Sequence, residues 1–375
     1  MSRPSIVLSG SGVFTPAHSV SNEELVTALN AWVARYNEQN AAAIAAGELP
    51  AKSPSSVEFI EKASGIKSRY VYCKDGILDL DRMTPRFPRR AEDELSHQAE
   101  IAVAAARAAL ESAGKTPDEI DMVIVSCAYT QRAYPAIAIE VQEALGIVGF
   151  GFDMLVACSA ATFAIHRAYD AIAAGTARAV LVINPELISP QIDYTDRDSH
   201  FIFGDVATAM VIEPASTCRS EHSFEILDIT AKTSFSNNIR SNFGHVSRAL
   251  DLEPYAPTNL FHQQGRKVFK DICPMVAEFL GEQLTRTGFA PPDVRRWWLH
   301  QANLQMNQWI VRHLLGRDTT EDEAPIVLDS YANTASAGSI IAFAQNHRDL
   351  VAGDLGVLCS FGAGYSIGSL LLRKR

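Results

Sequence analysis

Phe152–Gly175 reads FDMLVACSAATFAIHRAYDAIAAG and changes period part-way along. Phe152 to Ala157 is an apolar run broken only by Asp153, as a strand would be. From Cys158 onward Ala161, Ile165, Ala168, Tyr169 and Ile172 recur at helical spacing, and Gly175 is placed to end the helix. Cys158 therefore falls on a strand-to-helix turn. A thiol there faces unsatisfied backbone N–H groups and the positive end of the helix dipole, which favours thiolate and makes Cys158 a candidate nucleophile. A lone cysteine is more often a small apolar core residue, so the case rests on what else converges on it.

The chain has 375 residues, 47% of them hydrophobic, enough for two domains or one duplicated unit with a large core. A formal charge of -10 argues against a nucleic-acid surface while leaving room for a local basic patch. Cys73, Cys127, Cys158, Cys218, Cys273 and Cys359 lie far apart, with no metal-ligand or redox spacing. No metal and no cofactor is expected. The opening apolar run is short and strand-like, and no apolar run reaches the roughly 18 residues of a membrane span, so a soluble cytoplasmic protein is expected.

Taken in order, Ile6 to Leu8 reads as a first strand, with Gly10 and Gly12 as a tight turn. Ser21 and Glu24 form a capping box ahead of an amphipathic helix carrying Leu25, Leu29, Trp32, Val33 and Tyr36. Glu48 to Ser56 is a loop, Phe59 to Arg69 a short helix ending at Gly65 and then a basic turn, and Asp75 to Arg90 an exposed excursion. An alanine-rich helix from His97 to Gly114 followed by a strand from Ile120 sets up the alternation of an α/β sheet. Asp205 reads as a buried, hydrogen-bonded structural acid.

The pattern then repeats. The Cys158 helix gives way to the strand ARAVLVI, and the small-residue run NTASAGSIIAFAQ that starts at Asn333 gives way to GVLCS. IDMVIVSCA likewise resembles VRRWWLHQA, whose strand runs into His300. Two halves are expected, 1–215 and 216–375, with an inserted helix near 22–56. Related by a pseudo-twofold axis, they bring the Cys158 and Asn333 helix N-termini and His300 to one seam. A thiolate, an imidazole and a carboxamide there suit covalent acyl chemistry. The sulfur holds an acyl group as a thioester, and the other two donate hydrogen bonds to a second thioester carbonyl while that substrate loses carbon dioxide.

VACSAATFA, LHQANLQMN, YANTASAGS and the closing FGAGYSIGS resemble the signatures of the type III β-ketoacyl-acyl carrier protein (ACP) synthases, in the same order. The resemblance spans essentially the whole chain. It implies a thiolase-like fold of duplicated α/β/α half-units in five layers, a homodimer, and a catalytic set carried onto Cys158, His300 and Asn333. It further implies an oxyanion hole from the backbone N–H groups of Cys158 and Ala363, with strain at Ala363 should its φ be positive. Arg197 and Asn303 match positions that contact coenzyme A and its pantetheine arm, and Tyr134 one that reaches the partner subunit's acyl pocket. Lys270 and Arg312 suit carrier-protein docking. The tryptophan and arginine that flank adenine in the family correspond to Phe59 and Ala63, with Arg69 or Arg197 in compensation. The segment Asn22–Ser56 is longer than in acetyl-primed members. With the wording LVACSAATF and SGIKSRYVY it looks most like the subgroup that condenses octanoyl-CoA with malonyl-ACP to 3-oxodecanoyl-ACP in fatty acid biosynthesis. The alternatives are an acyltransferase that moves or joins acyl chains without decarboxylation, a catalytically silent binding subunit, and a nucleotide-binding α/β protein, which the missing phosphate loop disfavours.

Overall fold

The computed structural model describes residues 4–242, 253, 256 and 259–375. Its strands in chain order are β1 (Ile6–Phe14), β2 (His18–Ser21), β3 (Ser68–Val71), β4 (Met122–Cys127), β5 (Phe150–Leu155), β6 (Val180–Glu186), β7 (Val206–Pro214), β8 (Phe224–Ser236), β9 (Ile239–Ser241), β10 (Phe261–Gln263), β11 (Val294–Leu299), β12 (Leu355–Gly362) and β13 (Gly364–Lys374). The helices are α1 (Asn22–Gln39), α2 (Ala41–Ala45), α3 (Val57–Ser64), α4 (His97–Ala113), α5 (Ile137–Leu145), α6 (Ala160–Ala173), α7 (Gly265–Thr287), α8 (Leu304–Leu315), α9 (Leu328–Tyr331) and α10 (Ala337–Gln345).

β4, β6 and β12 are apolar runs buried along their whole length, as strands covered on both faces must be. They belong to one mixed sheet ordered β11-β12-β13-β8-β1-β7-β6-β4-β5. Its two ends repeat one pairing scheme. β4 runs parallel to β6, β6 antiparallel to β7 and β7 antiparallel to β1; β11 runs parallel to β12, β12 antiparallel to β13 and β13 antiparallel to β8. The join is slight, with Val7 opposite Glu225 and Leu8 opposite Phe224.

Helices fill three layers around the strands. α4 and α5 pack on one outer face, with Ala102, Ala106 and Val141 against Val123 and Leu181. α7 and α8 cover the corresponding face of the other end, with Val276 and Ile310 against Trp297 and Val357. α6 and α10 lie between, where Ala164, Ile165, Ile340 and Ile341 share one core with strands from both ends. The result is the layered, duplicated α/β arrangement expected.

Several local expectations need correction. Gly10 and Gly12 do not turn the chain; β1 continues through both, with a shift of register against β7 between Leu8 and Gly10. They are glycines because α4 presses on them, and a Cβ would lie 2.4 Å from the Ala109 carbonyl oxygen at Gly10 and 2.2 Å from that of Ala105 at Gly12. The 75–90 excursion folds back and buries Ile77 and Met83. β5 is an edge strand whose Phe150, Phe152 and Leu155 are exposed, so its apolar run is not a sign of burial. Phe261–Gln263 pairs as β10 with β9, and the long helix begins only at Gly265. The capping box does form: Ser21 Oγ accepts from Glu24 N–H at 3.2 Å, and Glu24 accepts from Ser21 N–H at 3.0 Å. Beyond Tyr36 the inserted arm is lightly anchored, and α2 has no buried residue. Among the described residues no helix is long and apolar enough to cross a membrane.

Candidate active site

Cys158 and His300 both pack on the end of β12, and the turn that carries Asn333 reaches the His300 ring through Ala335. His300 follows β11 and donates its backbone N–H to the Cys359 carbonyl at 2.8 Å, while its ring stands edge-on to Phe361, centroids 5.3 Å apart. Cys158 lies against Gly362, where a Cβ would come within 2.6 Å of the Cys158 Cβ and 3.0 Å of Sγ; hydrogen is the only side chain that fits. Asn333 joins through its own turn: its Oδ1 accepts from Ala335 N–H at 2.9 Å, and the Ala335 backbone faces the His300 ring.

Local backbone explains the placement. Cys158 is in a single 3-10 turn, Ala157–Ser159, and α6 starts at Ala160; Asn333 precedes α10, which starts at Ala337. Neither is a helix cap. Both follow an alanine in the left-handed region, Ala157 at φ +44° and Ala332 at +57°, and Ala335 adds a third at +47°. Such alanines cost about 1 kcal/mol or more each and cluster where geometry is being enforced. The Asn333 backbone is tied on both sides, N–H to the Ile202 carbonyl at 2.9 Å and carbonyl from Gly204 N–H at 3.1 Å. With Oδ1 occupied by Ala335, the carboxamide is oriented and Nδ2 is left as a donor. Ala363 is free of the feared strain, since the positive φ falls on Gly364.

The electrostatics differ from the dipole argument. Burial, and after it the charge of Glu186, pushes the Cys158 thiol up to about 12; hydrogen bonds from the Ala363 and Cys158 backbone pull the other way without prevailing. Burial pushes His300 down to about 4, against the Ala335 backbone, and Nδ1 is buried without a protein partner. The resting pair at neutral pH is thus a thiol and a neutral imidazole. The backbone groups directed at the sulfur are those of Cys158 and Ala363, the two expected to form an oxyanion hole. No group of metal-ligating side chains occurs among the described residues.

With this geometry in view, the chain matches the family model described as 3-oxoacyl-[acyl-carrier-protein (ACP)] synthase III over residues 152–234, and its C-terminal counterpart over 284–374. It is 57% identical over 345 residues to the β-ketodecanoyl-[acyl-carrier-protein] synthase of Pseudomonas aeruginosa, covering 92% of this chain and 99% of that protein. The chain belongs to the 3-oxoacyl-[acyl-carrier-protein] synthase III family. It is accordingly a condensing acyltransferase of fatty acid biosynthesis. Among solved structures, the priming β-ketosynthase of the R1128 polyketide pathway superposes with a TM-score of 0.78 at 26% identity, covering 99% of this chain and 96% of that one. The synthase III of Aquifex aeolicus gives 0.76 at 24% identity, with 98% and 99% covered, a likeness of fold.

Around this synthase III site the remaining expected residues separate. Arg197 is half-buried; its guanidinium stacks over Phe59 at 3.8 Å and its Nε donates to the Pro54 carbonyl at 2.7 Å, beside a cavity of about 430 Å³ that it lines together with Val33 and Ala51–Pro54 of the inserted arm. Arg69 is no ligand contact. It is 2% exposed and spends its guanidinium inside, on the Val20 and Phe201 carbonyls and Asn22 Oδ1. Asn303 caps α8 by accepting from Gln305 N–H and donates to the Ala63 carbonyl, which fastens α8 to the end of α3. Tyr134 stands 84% exposed in the segment just before α5. Arg312 is engaged by Asp318, whereas Lys270 is exposed on α7, one residue from Asp271, which accepts from the Tyr365 hydroxyl beside the Gly364 turn.

Glu186 escaped the sequence reading. Its only signal is a carboxylate closing the strand VLVINPE, whose one other polar side chain is Asn184.

Proposed function

We propose that the enzyme condenses a medium-chain acyl-CoA, octanoyl-CoA foremost, with malonyl-ACP to give 3-oxodecanoyl-ACP, carbon dioxide and coenzyme A, using Cys158 as nucleophile and His300 and Asn333 as the decarboxylation pair. The carrying observation is the Ala335 N–H bond to Asn333 Oδ1, which leaves Nδ2 as a fixed donor beside a neutral His300. In the first half-reaction the Cys158 sulfur attacks the acyl-CoA carbonyl, the backbone N–H groups of Cys158 and Ala363 hold the oxyanion, and the C–S bond to coenzyme A breaks. The thiol proton ends on the departing CoA sulfur. In the second, Asn333 Nδ2–H and an imidazole N–H bond the malonyl thioester carbonyl while its C–CO2 bond breaks. The electron pair forms an enolate, whose carbon attacks the Cys158 thioester and expels the sulfur as a thiolate, which takes the one proton the step consumes from solvent. A neutral imidazole suits this role, because the enolate needs donors and no base.

The octanoyl primer rests on the 57% identity to the Pseudomonas protein. Arg197 with Phe59 is the proposed purchase on coenzyme A, and Asn303 supports the wall beside it. Lys270, with Arg266 and Lys267 on the same exposed turn, is the proposed docking patch for an acidic carrier. A homodimer through β5 accounts for the exposed Phe150 and Leu155 on a sheet edge and for the exposed Tyr134 and Val148 that precede it in the chain. The division into halves at 215/216 is part of the same reading, and the free cysteines suit the reducing cytoplasm.

The test is a series of acetyl-, octanoyl- and longer acyl-CoA followed by intact-protein mass spectrometry, and then addition of malonyl-ACP. Octanoylation confined to Cys158 and release of carbon dioxide with 3-oxodecanoyl-ACP are expected. Acyl transfer to another acceptor without carbon dioxide release would favour the non-decarboxylating alternative and sink this one.

A further inference from the structure

Glu186 ends β6 fully buried, in a place where a carboxylate costs several kcal/mol, roughly, unless donors surround it. Three do. Ala128 N–H reaches Oε2 at 3.0 Å, and Oε1 accepts both the Ser336 N–H, at 3.2 Å, and the Ser336 hydroxyl. The pairing of β6 with β7 runs on through Glu186 opposite Val206, so the sheet has no need of this side chain. It links instead the segment after β4 to the turn before α10.

That turn, Ala332 to Ser336, carries Asn333. Ala332 and Ala335 both sit at positive φ, so the turn does not hold its shape unaided. Its first part is pinned by the Ile202 and Gly204 bonds to Asn333, and its far end, Ser336, by Glu186. Between the two pins lies Ala335, which fixes the Asn333 carboxamide through its N–H and faces the His300 ring. A shift at Ser336 therefore moves both members of the decarboxylation pair. Glu186 also bears on the thiol: after burial, its charge is the largest influence that raises the Cys158 pKa. Asp205, Cys127 and Tyr129 lie in the same field.

We infer that Glu186 is a positioning residue for the condensation: acting through Ser336, its carboxylate holds the Ala332–Ser336 turn in the shape that aims Asn333 and His300 at one carbonyl. The inference rests on the roles proposed above for Asn333 and His300. Two variants of the full chain test it, Glu186→Gln and Ser336→Ala, each measured for acylation by mass spectrometry, for carbon dioxide release from malonyl-ACP, and for the pH profile of Cys158 alkylation by iodoacetamide.

Glu186→Gln is expected to slow carbon dioxide release about tenfold or more while acylation stays within about threefold, the size of losing a charged hydrogen-bond acceptor. Its alkylation profile should move to lower pH, because the negative neighbour is gone. Ser336→Ala keeps the charge, so carbon dioxide release should fall about threefold with the profile unmoved. A merely structural Glu186 would lower both half-reactions together and leave the profile in place, and that result overturns the inference, as does wild-type carbon dioxide release in Glu186→Gln. Should Glu186→Gln fail to fold, wild-type carbon dioxide release in Ser336→Ala overturns it alone. If the unaltered enzyme releases no carbon dioxide from malonyl-ACP, the proposed function has failed; the alkylation shift, which needs no substrate, still reports on Glu186 and Cys158.

Discussion

The base of the site and its mouth are built on opposite terms. At the base, Cys158, His300 and Asn333 are held by backbone: a glycine that admits only the sulfur, an N–H to Cys359, and alanines in left-handed conformations. At the proposed mouth the support is by side chain: Arg197 rests on the Phe59 ring of α3 and on the Pro54 carbonyl, and Asn303 ties α8 to α3 through Ala63. Chemistry that depends on tenths of an ångström belongs with the first kind of support, and recognition of a large, charged handle tolerates the second.

The largest effect should come from Cys158→Ala, with acyl-enzyme formation from octanoyl-CoA lost by about a thousandfold or more, since the proposed thioester to the Cys158 sulfur can no longer form. A labelled Cys158→Ala protein in the mass spectrum would break the comparison at its base. Next, Asn333→Ala should cut carbon dioxide release from malonyl-ACP by about a hundredfold while acylation stays within about threefold, a loss confined to one half-reaction. Equal losses in both would mean the carboxamide serves the sulfur instead.

Two arginines sharpen the contrast at the mouth. Arg197→Ala should raise KM for octanoyl-CoA about tenfold with kcat nearly unchanged, the mark of uniform binding. Arg69→Met should leave KM alone and lower the melting temperature by several degrees, through loss of three buried hydrogen bonds. Exchange of these two phenotypes would return Arg69 to the binding surface.

The smallest effect concerns acid. His300 is held down to about 4 against an ordinary 6.5, so below 6.5 the unfolded chain takes a proton that the folded site refuses, and stability falls as pH drops toward 4. His200, also pushed down to about 4, acts in the same sense, and Glu186, pushed up to about 7, in the opposite one. The His300 share is therefore read as a difference: melting temperature between pH 7 and 4 should fall less steeply for His300→Asn than for the unaltered protein. Parallel curves would mean that the imidazole is hydrated.

The same contrast explains what the sequence could disclose. The places of Cys158, His300 and Asn333 in the fold were legible because each lies beside a change of period, and strand ends and the turns before helices are positions that topology fixes. The duplication was legible for the same reason, since matched strands at matched intervals must pair alike. Arg69 misled because an arginine after a basic turn looks exposed, and only the folded Val20, Asn22 and Phe201 reveal that it is enclosed. The dipole argument for a thiolate misled because a local field was weighed without the burial that tertiary packing adds. Gly10 and Gly12 misled because glycine marks a turn and a close neighbour with the same letter, and the neighbour, α4, is some ninety residues away in the chain.

The alanines at 157, 332 and 335 have a consequence for anyone re-engineering this enzyme. Glycine at any of them would relax the local conformation at little thermodynamic penalty, and stability screens would pass such variants unnoticed. What would be lost is definition: the nucleophile and the amide donor would wander among neighbouring rotational states, and turnover would decline in proteins that melt as well as their parent.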